Sequence, residues 1–181
     1  EHEDGEPVTC DYYYEEKTGY FQALNDARAG DHDLTPFLRF ALKGIESQCR
    51  ELLGEIRLQV AKALFRNTVN DLFGRLKSPR KRAMTERHVR LLNLLLDEES
   101  LMLNELIKRS AHFYAVKNYT KALYRDLNFL IGLKAISAEK PESQDSFRLS
   151  INLEWPTQIT ETEFLKRMKE IPKGKLHGFL S

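Results

Sequence analysis

The chain has 181 residues, 41% of them apolar and 30% charged, enough for one good core or two small ones joined by a linker. It holds no run of about 18 apolar residues and no basic stretch leading into an apolar one near residue 1, so neither a membrane span nor a secretion signal is expected. The net charge of +1 conceals an asymmetry: residues 1–36 carry ten acids against Lys17 and Arg28, and residues 74–90 carry seven bases against Glu86 alone.

A basic block of that density attracts phosphate or an acidic surface, or else serves as a solvated linker. Cys10 and Cys49 form no CxxC pair and have no His at metal-ligand spacing. They read as reduced thiols of a cytoplasmic protein. Beginning at Glu1, the chain reads as a fragment of a longer protein.

Residues 1–11 read as an acidic loop. From Tyr12 to Ala29 the pattern is helical, with Tyr13, Tyr20, Leu24 and Ala27 recurring on one side. Gly30 ends it in the manner of a C-terminal glycine. Thr35 is placed to cap the next helix, with Pro36 at its first position. Leu38, Leu42, Ile45, Cys49, Leu52 and Ile56 then repeat at steps of three and four, widened by Leu53, Val60 and Leu64. The pattern persists to Phe73, as one long helix or as two interrupted at Gly44 or Gly54. Such a stripe implies packing against other helices, or a homodimer formed through residues 36–73.

Residues 76–84 read as a basic linker containing Arg80, Lys81 and Arg82. Thr85 is expected to open a helix buried through Val89, Leu92, Leu95 and Leu96. Asp97-Glu98-Glu99-Ser100 reads as a solvated turn. An extended Leu101-Met102-Leu103 follows, then a helix near Asn104–Arg109 and a loop through His112 and Tyr114. A third helix spans about Asn118–Gly132, facing inward through Leu123, Leu127, Leu130 and Ile131 and stopped by Gly132. Ala135–Ala138 is strand-like. Phe147, Leu149, Ile151 and Leu153 alternate with polar residues, as in a half-buried strand. Trp155 is expected as a hydrophobic peg at the hairpin's edge. Thr160-Glu161-Thr162-Glu163 announces a last helix by a capping box, and 173–181 is a tail.

This order is that of a winged helix. The fold class expected is therefore mainly α: a helical segment followed by a winged helix-turn-helix with a small β-hairpin wing. The domains expected are a helical segment over 1–75, the linker at 76–84, the winged helix over 85–155, and a C-terminal helix and tail over 156–181.

Two stretches resemble the Fic family. The first, Tyr12–Leu42, reads YYYEEKTGYFQALNDARAGDHDLTPFLRFAL, and it is similar to the tyrosine-rich helix and "GD.TP(W/F)L.F.L" segment that follow a Fic catalytic core. The second comprises TERHVRLLNLLLD, LNELIKRS and YRDLNFLIGLKAI within Thr85–Ile136. It resembles the winged helix often appended to Fic proteins, with Tyr124-Arg125-Asp126-Leu127, Leu130, Gly132 and Ile136 standing for "T.RDL..L...G(I/L)". Tyr124 departs from the small residue usual there, and the His112–Asn118 loop is longer and more aromatic than is common.

The resemblance implies the C-terminal region of an adenylyltransferase, covalently preceded in the parent by a catalytic half that carries HPFxxGNGR. That motif is not in this sequence; His112-Phe113 continues as Tyr114-Ala115-Val116. Hence no catalytic residue, no metal ligand and no cofactor are assigned to this chain, and it is expected not to be an enzyme. Asp31, His32 and Asp33 read as a helix-entry turn.

The partner expected is double-stranded DNA. Lys117, Asn118, Lys121 and Arg125 stand near the start of the third helix, where phosphate and base-edge contacts arise in a major groove. Arg148 beside the wing and the cluster Arg80, Lys81 and Arg82 add candidate backbone contacts. Against this stand Tyr119 and Tyr124, which could seal a protein interface, and Asp126, which repels phosphate if exposed unless it pairs with Arg125. The alternative is a dimerisation or target-protein-binding module with no DNA affinity.

Overall fold

In a computed structural model, residues 9–30, 33–76, 79–115, 118–142 and 146–170 are described. The elements are α1 (Thr9–Glu15), α2 (Lys17–Ala29), α3 (Thr35–Gly74), α4 (Pro79–Glu98), β1 (Ser100–Met102), α5 (Leu103–Ser110), a 3-10 turn (Ala111–Phe113), α6 (Thr120–Gly132), β2 (Ile136–Glu139), β3 (Arg148–Ile151), α7 (Trp155–Gln158) and α8 (Glu161–Lys169). The protein is mainly helical with one small antiparallel sheet. Among the described residues no helix is long and apolar enough to cross a membrane.

The chain divides into two compact units, Glu1–Gln59 and Val60–Ser181, so the division falls inside α3 and not after residue 75. The last turns of α3 belong to the second unit because Phe65, Val69, Leu72 and Phe73 are buried in its core.

In the first unit the expected single helix over 12–29 is two, interrupted at Glu16, whose ψ of 34° leaves helical geometry. An aromatic cluster holds the unit together: Phe40 of α3 lies 5.4 Å from Tyr12, 5.7 Å from Tyr13 and 6.2 Å from Tyr20 between ring centroids. These separations suit the offset and edge-on contacts aromatic rings favour. Gly44 lets α1 approach α3, since a Cβ there would stand 2.5 Å from the Tyr12 ring. Gly30 does end α2, but with φ at −92° and not in the left-handed conformation. At the start of α3 the cap comes from Asp33, not Thr35: its Oδ1 accepts the Thr35 backbone N–H at 2.9 Å. Asp31 and His32 lie outside the described residues.

Residues 35–74 form one helix; neither Gly44 nor Gly54 breaks it. Within the chain the apolar stripe is uncovered, with Leu38, Leu42, Ile45, Leu52 and Ile56 between 47% and 65% exposed. The internal contacts of α3 in this unit are made by Phe37 and Phe40 on its other side.

In the second unit, residues 79–84, expected as linker, already belong to α4, which starts at Pro79 where the ring's fixed φ suits a first helical position. Thr85 is therefore inside the helix and does not cap it. Leu91, Leu92, Leu95 and Leu96 of α4 are fully buried against Leu123, Leu127 and Leu130 of α6. Each such side chain contributes about 1.5–3 kcal/mol relative to an exposed one. Val89 and Ile131 are only half-buried, and Leu91 takes the place expected for Val89.

The sheet order is β1-β3-β2, both pairings antiparallel. Leu149 sits centrally, opposite Leu101 on β1 and Ala138 on β2. It is fully buried while Arg148 is exposed, the alternation the sequence implies. Trp155 is not a peg at the hairpin's edge. It lies in the core 5.4 Å from Phe65, and its indole N–H donates to the Leu133 carbonyl at 2.9 Å. Likewise α8 is no appendage: Phe164 packs 5.0 Å from Phe73. The N-cap half of the expected capping box forms, with Thr160 Oγ1 accepting the Glu163 N–H, while Glu163 Oε1 accepts from Arg167.

Candidate nucleic-acid interface

Helix α6 is two-sided. Leu123, Leu127 and Leu130 recur at the three- and four-residue steps that keep one face toward the core. Lys121 and Arg125, four residues apart on the opposite side, are exposed, and Asn118 is exposed just before the helix. The Arg125 Nε–H donates to the Lys121 carbonyl at 3.2 Å, which leaves the rest of its guanidinium available. Lys117 lies outside the described residues.

Asp126, the one acid on α6, is buried and does not pair with Arg125. Its Oδ2 accepts from Arg87 Nε of α4 at 2.9 Å and from the Tyr114 hydroxyl at 2.9 Å. His88 Nε2 lies 3.2 Å from its Oδ1. Burial works to raise the Asp126 pKa, yet the contacts with His88 and Arg87 outweigh it and hold the carboxyl below the usual carboxylate range. Burial, with Asp126 alongside, pushes the Tyr114 phenol far above its ordinary range, so it remains a donor. The Arg87 guanidinium also lies 5.2 Å from the Tyr114 ring centroid, within cation–π reach.

The long aromatic loop before α6 is explained by the same cluster. Tyr114 and Tyr119 stack at 5.7 Å, and the Tyr119 hydroxyl donates to the Ile107 carbonyl of α5 at 2.9 Å. Tyr119 therefore ties α5 to the start of α6, and both it and Tyr124 are half-buried against the core. Sequence patterning missed this network. Its one visible signal was the unusual density of aromatic residues between α5 and α6.

Arg148 is exposed at the start of β3, but Glu139 stands opposite it on β2. Positions 80–82 fall in the first turns of α4, and the side chains of Arg80, Lys81 and Arg82 are outside what the structure describes. Thus Lys121 and Arg125 share one face of α6, Asn118 precedes the helix, and Arg148 is carried by a separate element. Glu98 is not a free turn acid: it pairs with Arg109 at 2.7 Å, while Glu99 pairs with Lys62 at 2.8 Å. Among the described residues no group of three or more His, Cys, Asp and Glu is placed to hold a metal ion. Compared with protein-family models and with curated proteins, the chain matches none.

Proposed function

We propose that the segment around residues 85–155 is a winged-helix module that binds double-stranded DNA through α6. In this reading it belongs to the C-terminal part of a Fic-family protein, whose AMP-transfer chemistry would reside in a preceding catalytic half. The observation that carries the DNA reading is the sorting of charge on α6. Its only acid is buried and neutralised by Arg87, while Lys121 and Arg125 remain exposed on the outer face and Asn118 is exposed just before the helix.

The order α4-β1-α5-α6-β2-β3, with β1 pairing next to β3, supports the winged-helix reading, and the β2–β3 connection would be the wing. Lys121 and Arg125 suit phosphate oxygens or guanine edges, and Asn118 suits an adenine edge or a backbone contact. The bases at 80–82 begin a helix, whose terminal partial positive charge adds to theirs and favours an anionic partner.

Fluorescence anisotropy of the chain against random-sequence duplex, repeated over a salt series, tests this. Binding is expected to fall steeply with salt, and Lys121→Ala or Arg125→Ala should each lower the log–log slope by about one. Absence of binding at low salt, or a slope indifferent to both substitutions, would overturn the reading.

A further inference from the structure

Helix α3 is packed toward its two ends and bare between them. Near its start Phe40 lies among Tyr12, Tyr13 and Tyr20, and Gly44 is buried beneath the Tyr12 ring. Near its end Phe65, Val69, Leu72 and Phe73 are buried in the second unit, while Lys62 pairs with Glu99 and Arg66 with Asp97. From Ile45 to Gln59 no residue is buried; Gln48 and Leu58 are half-buried and the rest are exposed.

An unpacked helix of about 12–15 residues is marginal in water, because its nucleus is costly and most helical stability comes from packing. The ion pair Glu46–Arg50 inside the span is exposed on both sides and adds little. Gly54, near the middle of the span, lowers the helix preference further. The two ends also differ in what they bury. Among the described residues of the first unit, the buried apolar side chains are Ala23 and Ala27, and Tyr12, Tyr13, Tyr20, Phe37 and Phe40 are only half-buried. The second unit buries Phe65, Phe73, Trp155, Phe164 and the leucines of α4 and α6. Apolar burial is the main favourable term in folding, so stability is concentrated in the second unit.

We infer that the described part of the first unit, residues 9–30 and 33–59, opens as a cooperative unit of its own. In that opening α3 melts back to the anchor at Lys62 and Phe65 while the second unit stays folded. The step in stability thus falls inside one continuous helix and not at a loop. The core that positions α6 lies wholly in the second unit, so α6 keeps its fold in both states, whether or not it binds DNA.

Native-state hydrogen exchange of the full chain, followed by mass spectrometry over a series of urea concentrations below the main transition, tests this. Protection over 45–57 is expected to be at least about 100-fold lower than over 65–73 and 123–130. Exchange over 12–29 and 35–57 should share one urea dependence, shallower than that of the second unit. Leu53→Pro, at an exposed position, should abolish protection over 45–57 and leave 65–73 and 123–130 within about twofold of the parent. Gly54→Ala should raise protection over 45–57 by about fivefold, a gain that misfolding does not produce, with the second unit unchanged. Equal protection along 35–74, a second unit weakened by Leu53→Pro, or a Gly54→Ala gain shared by both units would each overturn the separate opening.

Discussion

Arg87 of α4 reaches Asp126 of α6 through Nε at 2.9 Å, and the carboxylate it neutralises is 7% exposed. This pair fixes which side of α6 faces the core and turns the helix's only acid away from its basic face. Removing one partner of a buried pair leaves the other uncompensated, typically at 3–5 kcal/mol. Because Arg87 is itself 26% exposed and can rehydrate, Asp126→Ala is expected to cost about 3 kcal/mol. Urea unfolding with an unchanged m-value would measure it; a loss under about 1 kcal/mol would show that the pair does not hold α6.

The same carboxylate sets an acid limit. Its folded pKa lies below the usual carboxylate range, so the folded state binds fewer protons than the unfolded state once the pH falls into that region. The stability Asp126 supplies is therefore complete above about pH 4 and is lost as the pH drops toward its folded value. Asp126→Asn should flatten the unfolding free energy over that window while leaving its slope near neutrality unchanged. Equal acid slopes in the two proteins would exclude Asp126 as the group responsible.

Tyr114 supplies the third contact of this cluster. Tyr114→Phe keeps the ring stacked on Tyr119 and removes only the hydroxyl donated to Asp126. A hydrogen bond to a charged group contributes about 1.5–3 kcal/mol, and the low end is expected here because Arg87 and His88 remain. Thermal and urea unfolding should agree on about 1.5 kcal/mol. Under the DNA reading, duplex affinity at temperatures where the variant is folded should fall by less than in Lys121→Ala.

What the sequence reveals follows from the range of each interaction. The inward face of α6, the alternation about Leu149 and the Thr160 N-cap depend on neighbours within four residues, and local pattern exposes them. The inward turn of Asp126 depends on Arg87, 39 residues away, so local pattern offered only exposure or pairing with Arg125. Trp155 is similar: its indole partner, the Leu133 carbonyl, is 22 residues distant. For α3, periodicity identifies an apolar stripe but not whether the chain itself covers it. A helix end escapes local pattern where the helix begins inside a charged stretch, as at Pro79.

Two glycines of α3 should respond oppositely to alanine. At Gly44 a methyl group would stand 2.5 Å from the Tyr12 ring, so Gly44→Ala must displace α1 or its aromatic cluster. At Gly54, exposed and with nothing within 4 Å, the methyl meets open space and the helix gains about 1 kcal/mol. Hydrogen exchange over residues 12–20 should accelerate in Gly44→Ala and not in Gly54→Ala. Unchanged protection in Gly44→Ala would contradict the close approach of Tyr12.

Lys134 ends α6 with φ at 62°, the left-handed region that side chains disfavour. The Lys134 N–H donates to the Ile131 carbonyl and the Ala135 N–H to the Leu130 carbonyl, the paired bonds of a Schellman cap. Glycine is the usual residue at that position, yet Gly132 lies two residues early, inside the helix. Lys134→Gly relieves the Cβ strain, partly offset by the greater backbone freedom of glycine in the unfolded chain, for a net gain of about 0.5–1 kcal/mol. Lys134→Ala retains the Cβ and should gain nothing. A matching rise in urea midpoint for both variants would assign the effect to the lost charge and not to the backbone.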